Sequence, residues 1–93
     1  MCDGTSLRLK EETEKWLKKL EERTVQIRRS DSRERKRLDD VINNMHAYIS
    51  DCRHFLNKGD YINAFEAIIY AWGIYETCIH LGLLKGQIHR NGK

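Results

Sequence analysis

Residues Asp51–Glu76 read DCRHFLNKGDYINAFEAIIYAWGIYE. Four of them, Asn57-Lys58-Gly59-Asp60, set the fold class. Gly59 lacks a Cβ and can take the left-handed backbone that ends a helix. Asp60 follows at once, and its carboxylate can accept from the first free amides of a new helix at the positive end of that helix's dipole. A stop signal beside a start signal predicts a tight αα-hairpin.

Working outward, both flanks carry helical periodicity. Upstream, Leu38, Ile42, Met45, Ile49, Cys52 and Leu56 recur at steps of four and three, with Val41, Tyr48 and Phe55 as a neighbouring row. Together they predict one broad buried stripe. Downstream, the polar positions Asn63, Glu66, Tyr70, Gly73, Thr77 and His80 fall in one thin line. At 100° per residue the remaining positions sweep roughly 260° and are nearly all apolar, far more than a bundle helix needs. Gly82 can end that helix, and Leu83-Leu84 can fold back onto the bundle. The corner Gly59-Asp60-Tyr61-x-x-Ala64 also occurs in tetratricopeptide half-repeats. No second copy accompanies it, so a solenoid is rejected.

Further upstream, Thr5 or Ser6 can cap a first helix whose seam runs through Leu9, Thr13, Trp16, Leu20 and Ile27. Its other faces are Glu and Lys, with i,i+4 pairs such as Glu11–Lys15 and Glu14–Lys18. Arg28-Arg29-Ser30-Asp31-Ser32 breaks the pattern, and Asp31 with Glu34 reads as a capping box. The expected architecture is all-α: an antiparallel up-down-up bundle of three helices at about 6–29, 31–58 and 60–82, with the third most buried. Residues 1–93 form one domain, with 1–5 and 85–93 as mobile tails.

Composition agrees. The 93 residues are 33% charged and 40% apolar, with no proline. That balance suits a helical domain and argues against a turn-rich sandwich or barrel. Three cysteines without paired spacing make no disulfide framework. No apolar run is long enough to span a membrane, and Met-Cys-Asp-Gly-Thr-Ser lacks a basic-then-apolar leader pattern. A cytoplasmic location and no membrane partner are expected.

From about Tyr48 to Leu84 the sequence resembles a family of small helical proteins found mainly in archaea, the domain of unknown function numbered 357. Asp51, Phe55-Leu56, Lys58-Gly59-Asp60-Tyr61, Ala64, Ala67, Tyr70-Ala71, Gly73 and Leu81-Gly82-Leu83-Leu84 carry the resemblance. It implies a three-helix bundle and no assigned activity. This chain departs from the pattern at Cys52, where Ala is expected, at Trp72, where His is common, and at Glu76, where Asp is common.

The candidate chemistry is sparse. Cys52-x-His54 and Cys78-x-His80 look like paired metal ligands. Residues i and i+2 on a helix point about 200° apart, however, so each pair splits between faces. In a hairpin about Gly59 the two cysteines are offset by about 18 Å along the axis. No metal, no cofactor and no disulfide is expected, and the simpler reading is two buried thiols with two exposed imidazoles. No nucleophile arrangement or phosphate-binding glycine loop is recognisable, and enzyme activity is not expected.

Three surfaces remain as candidates. The margins of the third helix, Ile62 and Ile69 on one side and Ala67, Ile74 and Leu81 on the other, are a candidate interface with a second copy or another protein. The alternative is that the first helix and Leu83-Leu84 cover them. Residues 28–37, RRSDSRERKR, hold six cations against two anions. Arg33, Arg35, Lys36 and Arg37 fall at a helix N-terminus, where positive charge is unfavourable, and are a candidate polyanion contact such as nucleic acid. An ordinary solvated face is the alternative. Tyr70, Trp72 and Glu76 are the third, a small-ligand contact; for Glu76 the plainer reading is an exposed or ion-paired edge residue. Tyr70 and Gly73 could also frame a shallow contact groove.

Overall fold

The computed structural model describes residues 4–24 and 35–84. They form three α-helices and no strand: α1 (Gly4–Thr24), α2 (Arg35–Asn57) and α3 (Tyr61–His80). The turn expected at 29–32, its Asp31–Glu34 box and the 85–93 tail lie outside the described residues. Gly4 and Thr5 are already helical, so α1 begins before the expected cap.

The reversal between α2 and α3 is built as the sequence predicts. Gly59 has φ +77°. The Asp60 amide donates to the Phe55 carbonyl at 2.9 Å and the Gly59 amide to the Leu56 carbonyl at 3.1 Å. This is the crossed pair of a Schellman motif, which satisfies carbonyls that the end of α2 would leave open. Asp60 then caps α3. One carboxylate oxygen accepts from the Asn63 backbone amide at 3.3 Å and the other from the Asn63 side-chain amide at 2.6 Å. The same device closes α3: Gly82 has φ +74°, its amide donates to the Ile79 carbonyl at 3.0 Å, and the Leu83 amide donates to the Cys78 carbonyl at 2.9 Å. The chain then turns Leu84 back into the core.

The core follows the seams. On α2, Leu38, Ile42, Met45, Ile49 and Cys52 are buried and Leu56 is half-buried. The neighbouring row is only partly covered: Tyr48 and Phe55 are half-buried and Val41 is exposed. That narrows the expected broad stripe. On α3, Ala64, Ala67, Ile68, Ala71, Trp72, Tyr75 and Cys78 are buried. The three alanines are small buried side chains that permit close helix approach. α3 is the central element, packing extensively on α2 and less on α1, while α1 and α2 touch little. Removing a large buried side chain such as Ile68 would cost about 2–5 kcal/mol.

α1 contributes Leu20 and Thr13 to the core. Thr13 is a polar residue on an apolar seam, and it satisfies its hydroxyl by donating to the Leu9 carbonyl at 2.7 Å. Among the described residues, no buried side-chain polar atom lacks a hydrogen-bond partner. α1 reaches both other helices. Leu9 and Glu12 border a shallow hollow with Phe65 of α3. One turn from the other end, a Glu21 carboxylate oxygen accepts from the Arg53 guanidinium of α2. Tyr48 stacks on Tyr70, eleven residues either side of Gly59. On that pairing Phe65 and Arg53 are each six residues from Gly59.

Candidate functional site

α3 has a core face and an opposite, outward face. At 100° per residue the outward line runs Ile62, Glu66, Ile69, Gly73, Thr77 and His80, and every one of these is exposed. Tyr70 and Leu81 flank it. Ile62 is 74% exposed, Leu81 67%, Tyr70 55% and Ile69 46%. Four large apolar or aromatic side chains on one short helix and its end are therefore open to solvent, with Val41 of α2 beside them.

Two depressions meet on this face. One, of about 440 Å3, runs along the α2 side between Val41, Tyr70, Ile74, Thr77 and Leu81. The other, of about 360 Å3, lies on the α1 side and is lined by Trp16, Trp72 and Glu76. Ile69 and Gly73 border both. A Cβ built on Gly73 meets nothing within 4 Å, so the glycine is a notch joining the two hollows. The groove is apolar, and Tyr48 stacked on Tyr70 at 5.4 Å braces one wall.

The candidate interface residues separate here. Ile62, Ile69 and Leu81 lie on the open face and Ile74 is half-buried in the groove wall. Ala67 does not belong with them. It is only 6% exposed and sits in the core, because the small side chain marks the seam where helices approach. Leu83-Leu84 fold back but leave the outward face uncovered.

The small-ligand trio does not converge. Trp72 and Glu76 border the α1-side hollow, and Tyr70 borders the other. Trp72 is itself a core residue. Its indole N–H donates to the Trp16 carbonyl at 3.0 Å, and its ring stands edge-on to Trp16 and to Tyr75. Lys19 sits over the Trp16 ring, 4.9 Å from its centroid, and Arg23 lies 5.9 Å from the Trp72 centroid.

Of the basic run, Arg33 lies outside the described residues. Arg35, Lys36 and Arg37 form the first turn of α2, and their side chains also lie outside the description. Cys52 and Cys78 are buried free thiols, and His54 and His80 are exposed. Burial pushes the Cys52 thiol up to about 11; nearby Arg53 opposes that and Glu21 adds to it. Burial also raises Cys78. Both shifts favour the protonated thiol over the reactive thiolate.

Val41, Tyr48 and Thr77 were not expected at a site. Their signal was available: on a hairpin about Gly59, position 41 falls opposite 77 and 48 opposite 70.

A model for a protein family of unknown function, DUF357, matches residues 15–84. The chain belongs to the DUF357 family. The crystal structure of the DUF357 protein AF1782 from Archaeoglobus fulgidus is similar at a TM-score of 0.76 and 36% identity, over 90% of this chain and 100% of that one. No curated protein matches. The family match includes the Lys58-Gly59-Asp60-Tyr61 corner and all of α3, so the outward face lies wholly within it. No helix among the described residues is long and apolar enough to cross a membrane.

Proposed function

We propose that this DUF357 chain is a non-enzymatic interaction module that self-associates through the outward face of α3. One observation carries the reading: Ile62, Ile69, Tyr70 and Leu81 are all exposed around an apolar groove. Contiguous open apolar surface of this kind marks contact sites far more often than scattered single residues do. The geometry offers little for catalysis. The two thiols are buried, and Tyr70 borders a different hollow from Trp72 and Glu76. The module is read as an antiparallel up-down-up bundle, and the Tyr48–Tyr70 stack supports its α2–α3 hairpin. A reducing cytoplasm suits its buried, unlinked cysteines. Sedimentation velocity over a wide concentration range tests the reading: reversible dimer formation is expected, and a Tyr70→Glu variant should remain monomeric.

The second reading is a nucleic-acid-associated accessory protein using the basic end. Its specific support is that α2 opens at Arg35 with no acidic residue in its first turn. Three successive cations there oppose the helix dipole, a local cost that a polyanionic partner would offset. Binding to mixed RNA and DNA across a salt series tests it. Binding that falls steeply with salt and is lost when Arg33, Arg35, Lys36 and Arg37 become Gln supports this reading, and no binding at low salt removes it.

A further inference from the structure

The outward face of α3 carries a symmetry that the proposed self-association, on which this inference rests, does not by itself require. Gly73 lies near the middle of the helix, where glycine is less favourable than alanine. Nothing in the fold demands it: its φ is not left-handed, and a Cβ there would meet open space. Glycine on an open helix face is accounted for when a second backbone comes close to it.

Charge then sets the direction of that second backbone. Glu66 and His80 lie seven residues before and after Gly73, on the same outward line, and both are exposed. In a parallel pairing of two α3 helices about Gly73, Glu66 would face its own copy, which is repulsive. In an antiparallel pairing, Glu66 of one copy faces His80 of the other, about 10 Å either side of the crossing. The twofold axis repeats this contact, giving two carboxylate–imidazole pairs. On the α2-side flank the same operation brings Tyr70 near Thr77 of the other copy, and closes the apolar groove with a twofold-related copy of its own rim.

We infer that the occupant of this face is a second copy of the chain, docked with its α3 antiparallel to the first and crossing at Gly73. Glu66 and His80 fix the register, and Ile69 and Tyr70 supply the apolar contact.

Sedimentation equilibrium on the full chain and three variants tests this, with circular dichroism on each. Gly73→Leu fills the notch. It should keep helix content and leave the monomer at least as stable, yet weaken dimerisation at least tenfold. Glu66→Lys, on a fully open position, should weaken it severalfold, and adding His80→Glu to that variant should restore it to near the wild-type value. A wild-type dimer whose affinity is unchanged by Gly73→Leu and by Glu66→Lys overturns this geometry while leaving self-association standing. A wild-type chain that stays monomeric at the highest concentration overturns both. Loss in the Glu66→Lys variant without rescue by His80→Glu overturns the antiparallel register.

Discussion

The Trp72 indole N–H of α3 donates to the backbone carbonyl of Trp16 on α1 at 3.0 Å, and the two rings meet edge to face with centroids 5.6 Å apart. This contact ties α3, which bears the open face, to α1, whose Trp16 borders one of its hollows. A net hydrogen bond of this kind contributes about 0.5–1.5 kcal/mol, and an edge-to-face pair adds a similar amount.

Trp72→Phe should therefore lower stability by about 1–3 kcal/mol. The ring body stays, but the donor is lost and a small void opens beside Tyr75. Urea unfolding followed by circular dichroism reads the change. Trp72→Phe with unaltered stability would show that the Trp16 carbonyl contact holds nothing in place.

The glycines of the second half should respond with opposite signs. Gly59→Ala places a Cβ at φ +77° and should cost about 1–2 kcal/mol. Gly73→Ala meets no neighbour and should stabilise the monomer by up to about 1 kcal/mol, through helix propensity alone. Thermal melts at a concentration low enough to exclude dimer compare the two. Equal effects would contradict the distinct jobs assigned to these residues.

Asp60→Ala removes an acceptor from the Asn63 amide and should cost about 1 kcal/mol. Asp60→Asn keeps an acceptor and should cost much less. Denaturant midpoints that rank these two the other way would contradict the capping role.

Burial of the Cys52 thiol sets a pH dependence. Its folded value is raised from 9.0 to about 11, so the native state holds the proton more tightly than the unfolded chain. The contribution is intact below pH 9.0 and is lost as pH rises through about 11. Stability should fall across that window, and Cys52→Ala should flatten the fall. Thiol labelling of the native protein at pH 8 should be slow at both buried cysteines and fast after unfolding.

Much of the scaffold was legible in the sequence because its signals are local. Gly59-Asp60 and Gly82 dictate chain reversal by backbone conformation and capping, and both ends form as their residues require. The α2 seam was legible because Leu38 to Cys52 keep a strict helical period. The outward face was harder. Nearly all of α3 is apolar, so periodicity could not say which margin is covered. Ala67 was grouped with the exposed margin, although it belongs to the close-packed side, where a small residue serves helix approach. Trp72 looked like a ligand contact because an aromatic beside a carboxylate does so in one dimension. Its partner, Trp16, is 56 residues away, and only the packed fold brings the two together. Val41 and Thr77 form one rim for the same reason.

The most direct measurement is the oligomeric state of the full chain by sedimentation velocity, from micromolar to near-millimolar concentration. A reversible monomer–dimer equilibrium that Tyr70→Glu abolishes, with helix content unchanged, is the predicted result. A sharp monomer at every concentration, or a dimer indifferent to Tyr70→Glu, would contradict a role for the open face of α3.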